Sequence, residues 1–156
     1  MTTEIEKKFK LAALPPATIL GEGVAIKQGY LFTTEGEGRV RQKGNAYFLT
    51  VKGEGDLARS EWETSIPEWV FETLWRRTEG ARVEKTRCSI DYEGLILEVD
   101  EYFGHLAGLV TLECEFESEE AANGFILPEW ATSAEDVTSD KRYKNKALAV
   151  KGLPSN

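Results

Sequence analysis

The sequence predicts an α+β protein built on a closed, eight-stranded antiparallel β-barrel with flanking helices. Three observations lead to this prediction. Apolar and polar residues alternate with a period of two over most of the chain, and short turn-forming segments separate these stretches. A third is that charged residues recur at strand centres, where a barrel interior would hold them. The 156 residues show no shift in composition, so residues 1–156 are predicted to form one domain.

Strands are predicted wherever the two-residue alternation is clear. The predicted strands are residues 4–9, 38–43, 45–52, 59–64, 83–90, 95–102 and 109–117. Most are separated by segments containing Gly, such as Gly53-Glu54-Gly55-Asp56 and Asp91-Tyr92-Glu93-Gly94. The pattern therefore indicates a meander of hairpins.

Helical periodicity is confined to shorter segments. Residues 67–77 are predicted as a helix that packs on the sheet, residues 119–123 as a short helix and residues 140–150 as a C-terminal helix with a basic face. Residues 14–28, which include two prolines, carry a weak signal for one more short helix. These helices would flank the barrel.

The composition limits the classes of partner. A net charge of −8 and a pI near 4.8, with no cluster of Lys and Arg in a tail, argue against nucleic-acid binding. The acidic N-terminus has no apolar run, and no segment is long and apolar enough to cross a membrane. We therefore expect no signal peptide and no membrane association, but a cytoplasmic protein, either a monomer or a homodimer.

The cysteines and the single histidine have no catalytic or metal-binding spacing. Cys88 and Cys114 lie in predicted strands outside any Cys-X-X-Cys motif, so both are expected to be reduced and buried. His105 lies in a turn flanked by glycines and is expected to be exposed.

Neighbouring charged residues on one face of a predicted strand have the same sign. Residues two apart along a strand point to the same face of the sheet, so odd- and even-numbered positions can be compared separately, which is here called parity. One face collects neighbouring residues of like charge, and the other is apolar. The acidic pairs are Glu4/Glu6, Glu61/Glu63, Glu98/Asp100 and Glu113/Glu115, and the basic pairs are Arg39/Arg41 and Lys85/Arg87.

Two explanations fit this sorting. The charged face could simply meet water in a two-layer protein. Like charges on one strand repel, however, so separate acidic and basic groups also suggest bound counter-charges. Carboxylates without His or Cys favour Mg²⁺ or Mn²⁺, and basic side chains favour phosphate oxygens. A closed barrel would hold both around one small ligand, which predicts metal-assisted transfer of a phosphoryl group from a triphosphate to water.

The sequence resembles the CYTH, or triphosphate tunnel metalloenzyme, superfamily. The resemblance begins with Glu4-Ile5-Glu6-Lys7-Lys8, the ExExK motif, and covers essentially the whole chain. It continues through Arg39-Val40-Arg41, Thr50-Val51-Lys52, Glu61-Trp62-Glu63, Lys85-Thr86-Arg87, Glu98-Val99-Asp100, Glu113-Cys114-Glu115 and Asp136-Val137-Thr138. It implies an eight-stranded tunnel that acts on triphosphates, most similar to short bacterial tripolyphosphatases.

The resemblance also implies roles for individual residues. Glu4, Glu6 and Glu115 would bind a metal, and Glu61, Glu63 and Glu113 would bind or orient a second metal and its water. Phosphate oxygens would be bound by Lys8, Arg39, Arg41, Lys52, Lys85 and Arg87. Lys85, Glu61 and Glu63 would be the catalytic residues that orient the attacking water. Glu98 and Asp100 would balance basic side chains, with a metal ligand as the alternative role for either. The C-terminal helix near Tyr143 and Lys146 would plug one mouth of the tunnel.

The leading hypothesis is the hydrolysis of inorganic tripolyphosphate to pyrophosphate and phosphate, with side activity on nucleoside triphosphates. Within the same fold, a class IV adenylyl cyclase or a thiamine triphosphatase remains an alternative. A polyphosphate- or nucleotide-binding module without catalysis and a purely structural barrel are alternatives of other classes.

Overall fold

The computed structural model, which describes residues 5–54, 60–131 and 133–155, contains one antiparallel sheet. Its strands are β1 (Ile5–Lys10), β2 (Val24–Phe32), β3 (Glu37–Lys43), β4 (Ala46–Lys52), β5 (Glu61–Ser65), β6 (Arg82–Tyr92), β7 (Leu95–Tyr102), β8 (Val110–Phe116) and β9 (Glu135–Asp136). They lie in the order β5-β4-β3-β2-β6-β7-β8-β1-β9, and each neighbouring pair is antiparallel.

Four short α-helices accompany the sheet in the part of the chain that the structure describes. They are α1 (Ala17–Leu20), α2 (Glu68–Trp75), α3 (Glu119–Asn123) and α4 (Asn145–Lys151). The prediction for residues 119–123 is confirmed, with the Ser118 hydroxyl accepting the Ala121 N–H as the N-cap. The predicted helices at residues 67–77 and 140–150 are each divided between an α-helix and a 3₁₀ turn.

The short helix predicted within residues 14–28 is present, but it occupies only part of that segment, and the described residues form nine strands rather than eight. In the segment 14–28, α1 is only four residues long, and β2 begins at Val24. The sequence Lys27-Gln28-Gly29 interrupts the alternation of β2, which hid this strand. The ninth strand, Glu135–Asp136, is two residues long and pairs with β1.

Tight turns set the register of the hairpins. The β6–β7 connection is Glu93-Gly94, and both residues have positive φ, 49° and 82°. Two consecutive positive φ values are typical of the type I′ turn, whose twist matches that of antiparallel strands. The predicted turn at residues 91–94 is thus confirmed. The other predicted turn, Gly53 to Asp56, lies partly outside the described residues.

Two apolar clusters cover the sheet from different sides. The first packs β1, β7 and β8 against α3 and the loop that follows it, and it includes Phe9, Leu97, Leu112, Phe116 and Ala122. The second packs the C-terminal segment against β2, β6 and β7, and it includes Tyr30, Val83, Tyr102, Tyr143 and Leu148. None of the described helices is long and apolar enough to span a membrane.

The predictions for the cysteines and for the histidine are confirmed. Cys88 and Cys114 are free and buried. His105 is exposed, and its Nε2 lies 2.8 Å from the carbonyl oxygen of Arg82.

Candidate active site

The strand register brings the predicted like-charged pairs onto one face of the sheet, here called the charged face. Residues that oppose each other on neighbouring strands share a face. The opposed pairs include Glu6 with Glu115, Lys8 with Glu113, Glu98 with Glu113, Arg87 with Asp100, Arg39 with Thr50, Thr50 with Glu63 and Lys52 with Glu61. Parity along single strands therefore predicted this face correctly.

The charged face is not a face turned wholly to water. Lys8, Lys85 and Asp100 have relative exposures of 8%, 4% and 0%, whereas Trp62 on the opposite face is 56% exposed. Charged side chains are rarely so buried unless they are paired or bind a ligand. The structure therefore contradicts the alternative of a simple solvated face.

The two ends of the charged face differ in burial. At one end Glu6 and Glu115 are exposed. At the other end Thr111 and Tyr102 are buried, and the Tyr102 hydroxyl donates a hydrogen bond of 3.0 Å to the side-chain oxygen of Asn145, the first residue of α4. The C-terminal segment thus covers one end of the charged face and leaves the other open.

Carboxylates gather at the open end. Glu6 on β1 opposes Glu115 on β8, and Glu113, also on β8, lies between Lys8 and Glu98. Partial burial and the negative charges of Glu113, Glu115 and Glu98 raise the pKa of Glu6, although the positive charge of Lys8 opposes this rise. The mutual repulsion of these carboxylates would be relieved by a cation.

The carboxylates fit a divalent cation by their chemistry. All are oxygen donors, the type that Mg²⁺ and Mn²⁺ prefer, and burial together with the neighbouring negative charges disfavours the ionised form of Glu6 when no cation is bound. Within residues 5–54, 60–131 and 133–155, no three acidic, His or Cys side chains already form a metal-binding group. Glu4, the remaining predicted ligand, lies outside the described residues.

The basic pair on β6 is anchored by a buried carboxylate. Asp100 accepts hydrogen bonds from Arg87 Nε and Nη2 at 2.8 and 2.9 Å, and its Oδ2 lies 2.8 Å from Lys85 Nζ. Arg87 Nη1 also donates to Glu98 at 3.0 Å. Glu98 and Asp100 therefore do balance basic side chains.

These contacts shift the pKa values of the cluster. Burial alone would raise the pKa of Asp100, but the hydrogen bonds from Arg87 and the charge of Lys85 outweigh it and lower this pKa. Burial lowers the pKa of Lys85, and the charge of Asp100 offsets part of that effect. Asp100 is therefore a carboxylate that holds two cations in place.

The basic pair on β3 retains unused donors. The Nε atoms of Arg39 and Arg41 are buried and, among the described residues, have no hydrogen-bond partner. Arg39 Nη1 lies 3.3 Å from Glu37. Burial and the positive charges of Arg87 and Arg39 lower the pKa of Arg41. Buried donors without partners are costly, so these guanidinium groups are suited to an anionic ligand.

The residues predicted on β4 and β5 lie at the far side of the sheet. The Thr50 hydroxyl donates to Glu63 Oε1 at 2.6 Å, and Lys52 Nζ lies 3.8 Å from Glu61 Oε1. In the sheet order β5 is one edge strand and β9 the other. Strand pairing thus brings Glu61 and Glu63 beside the basic residues but not beside Glu6 and Glu115.

Asp100→Asn is expected to reduce the free energy of unfolding by about 3 kcal/mol near neutral pH, because two buried cations would lose their carboxylate. A carboxylate with a lowered pKa contributes stability above its unfolded pKa and loses it as the pH falls through the folded value. The difference in the free energy of unfolding between Asp100→Asn and the unmutated chain should therefore decrease at acidic pH. Urea unfolding over a pH series measures it.

Asp140→Asn is the matched control. Asp140 pairs with Arg142 at 2.7 Å, but the Arg142 side chain is 57% exposed, so this change should reduce stability far less than Asp100→Asn does. Equal effects of the two variants would contradict the anchoring role of Asp100.

Several polar residues of the charged face escaped the sequence analysis. Gln28 and Tyr30 on β2 are buried there, and the amide nitrogen of Gln28 donates to the hydroxyl of Tyr30 at 2.8 Å. Glu37, Tyr102 and Thr111 are likewise buried. The aromatic and β-branched residues within 24–32 were the sequence signal for β2. The alternation of charged residues could not reveal these side chains, because most of them are neutral.

No protein-family model matches the chain. Two curated relatives match it over nearly their whole length. An inorganic triphosphatase of Nitrosomonas europaea is 50% identical over 151 residues, covering 95% of this chain and 97% of the relative. An inorganic triphosphatase of Acetivibrio thermocellus is 38% identical over 151 residues, covering 95% and 94%.

A solved structure has the same overall arrangement. The crystal structure of an inorganic triphosphatase matches with a TM-score of 0.80 at 48% sequence identity, and the match covers 99% of both chains.

Proposed function

Because the chain belongs to the inorganic triphosphatases of the CYTH, or triphosphate tunnel metalloenzyme, superfamily, we propose that its charged face binds inorganic tripolyphosphate. The enzyme hydrolyses this substrate to pyrophosphate and phosphate. The single observation that carries the proposal is the buried and sorted charge of this face, with guanidinium donors that lack partners within the described chain and carboxylates that repel one another.

The basic residues bind the phosphate chain. Arg39 and Arg41 offer forked donors, and Arg87 and Lys85 are held by Asp100 so that their charge stays in place. Lys8 and Lys52 extend this basic surface. Fixed positive charges stabilise the negative charge that develops on the departing pyrophosphate, at no further cost of reorganisation.

The carboxylates of Glu4, Glu6, Glu113 and Glu115 would hold a divalent cation, Mg²⁺ or Mn²⁺. A bound cation would supply Lewis-acid chemistry, by neutralising phosphate charge and lowering the pKa of water. Burial and then the charges of neighbouring carboxylates raise the pKa of Glu6, and a cation beside it would offset both effects, which supports this assignment.

Glu63 and Glu61, together with Lys85, orient the attacking water. The Oε1 of Glu63 accepts the Thr50 hydroxyl, which fixes the carboxylate and leaves Oε2 for the water. The water oxygen forms the new bond to the terminal phosphorus as the bridging P–O bond breaks. The bridging oxygen leaves with pyrophosphate, and the water proton passes to Glu63 and then to solvent.

This assignment includes the closure of the sheet into a tunnel. Closure would bring the edge strand β5 toward β1 and so place Glu61 and Glu63 opposite the carboxylates of Glu6 and Glu115. The match to an inorganic triphosphatase at a TM-score of 0.80 supports it. Substrate would enter at the open end, because the C-terminal segment covers the other.

The test is phosphate release from tripolyphosphate, ATP and thiamine triphosphate, each with Mg²⁺, with Mn²⁺ and with EDTA. We expect the highest kcat/KM with tripolyphosphate, and loss of turnover in EDTA. Formation of cyclic AMP from ATP would instead indicate a cyclase, and binding without phosphate release a non-catalytic module. Either result, or turnover that EDTA leaves unchanged, would contradict the proposal.

Three predictions from the sequence accompany this function. Residues 1–156 act as one domain, the enzyme is a monomer or a homodimer, and it works in the cytoplasm without nucleic-acid partners. Light scattering measures the oligomeric state, and fractionation of cells shows the compartment.

A further inference from the structure

The main chain of Lys8 is held by the segment that follows β9. The carbonyl oxygen of Lys8 accepts the Val137 N–H at 2.9 Å. Its N–H donates to the side-chain hydroxyl of Thr138 at 3.0 Å. β9 ends at Asp136, so the hydroxyl of Thr138 replaces the strand carbonyl that would otherwise accept this N–H.

The hydroxyl of Thr138 is itself fixed. It donates to Asp136 Oδ1 at 2.6 Å, and the same oxygen accepts the Thr138 N–H at 2.9 Å. A hydroxyl has one hydrogen to donate, and here Asp136 receives it. The oxygen lone pairs of Thr138 are thereby directed to the N–H of Lys8.

The ammonium group of Lys8 is held by the same part of the chain. Lys8 Nζ donates to the carbonyl oxygen of Tyr143 at 2.5 Å and lies 3.4 Å from Glu113 Oε1. Tyr143 is buried against Tyr30, Tyr102 and Leu148, so its carbonyl has little freedom to move. An ammonium group has three N–H donors, and these two partners, counted over the described residues, leave one for a phosphate oxygen.

We propose that Thr138 is a positioning residue of the triphosphatase, acting through Lys8. Its hydroxyl fixes the backbone from which the Lys8 side chain extends, and the carbonyl of Tyr143 fixes the other end of that side chain. Thr138 itself touches no substrate. This inference rests on the proposed function, in which Lys8 binds a phosphate oxygen.

Three variants of Thr138 separate its hydroxyl from its bulk. Thr138→Val keeps the shape and removes the hydroxyl, Thr138→Ser keeps the hydroxyl, and Thr138→Ala serves as a second variant without it. Thr138 is exposed, so all three are expected to fold. We expect Thr138→Val and Thr138→Ala to lower kcat/KM for tripolyphosphate about five- to tenfold, the effect of one lost hydrogen bond. Thr138→Ser should stay within about twofold of the unmutated chain, since it restores that bond.

A double-mutant cycle tests whether the effect passes through Lys8. In a Lys8→Ala background, Thr138→Val should change the affinity for tripolyphosphate no further. In a Lys52→Ala background, which serves as the control, it should retain its full effect. Calorimetric titration of tripolyphosphate in EDTA gives these affinities even for variants without turnover.

The outcomes distinguish this inference from the proposed function. Absence of phosphate release by the unmutated chain would refute the function. If the unmutated chain hydrolyses tripolyphosphate, equal activity of the Val and Ser variants would overturn the role of Thr138. A full effect of Thr138→Val in the Lys8→Ala background would likewise show that Thr138 does not act through Lys8.

Discussion

Glu6→Gln is expected to lower metal-dependent kcat/KM for tripolyphosphate by about 100-fold or more, the range found when one electrostatic group of a catalytic site is removed. The same substitution should raise the midpoint of thermal unfolding in EDTA. Activity and stability would thus change in opposite directions.

The stability gain follows from the sign of the pKa shift at Glu6. Partial burial and the neighbouring charges of Glu113, Glu115 and Glu98 raise this pKa in the folded protein. A carboxylate with a raised pKa contributes stability only below its unfolded pKa, and that contribution is lost as the pH rises through the folded value. Near neutral pH the ionised Glu6 therefore destabilises the metal-free fold, and a neutral glutamine removes the repulsion.

Glu72→Gln is the matched control, because Glu72 is an exposed residue of α2 remote from the charged face. It should leave both kcat/KM and the unfolding midpoint unchanged. Phosphate-release kinetics and thermal scans in EDTA and in Mg²⁺ measure the two quantities. A Glu6→Gln protein with unchanged phosphate release would refute the assignment of Glu6 as a metal ligand.

Arg41→Met is expected to raise the dissociation constant for tripolyphosphate about 10- to 100-fold without lowering thermal stability. Hydrogen bonds to charged groups contribute about 1.5–3 kcal/mol, which corresponds to that range. Met keeps much of the length of the apolar stem, so the packing of β3 should be preserved.

The stability argument for Arg41 also depends on charge. Burial and the neighbouring cations Arg87 and Arg39 lower its pKa, so the folded protein disfavours a charge there when no anion is bound. Removing that charge leaves the metal- and substrate-free fold equally or more stable. Stabilisation of the protein by tripolyphosphate in thermal scans should decrease together with affinity.

Arg77→Met, in the exposed 3₁₀ turn after α2, is the control for the loss of one positive charge. It should change neither affinity nor the unfolding midpoint. If Arg41→Met bound tripolyphosphate as tightly as this control, Arg41 could not contact the phosphate chain.

Period-two alternation predicted most of the sheet because side chains alternate between the two faces of any strand, whatever surrounds it. For the same reason parity sorted Glu6, Lys85 and Arg87 onto one face before any register was known. It failed at β2, where Gln28 and Tyr30 occupy the charged face as mostly neutral residues. A search for charged residues cannot detect the neutral residues that share their face.

The sequence by itself determined that like charges share one face, since this follows from local geometry and spacing alone. Only the tertiary structure decided which cations Asp100 holds, which end of the face the C-terminal segment covers, and that Thr138 supports Lys8. These contacts join residues far apart in the chain, 130 positions in the case of Lys8 and Thr138. Such pairings depend on how the sheet and its covering segments pack, and no local periodicity encodes them.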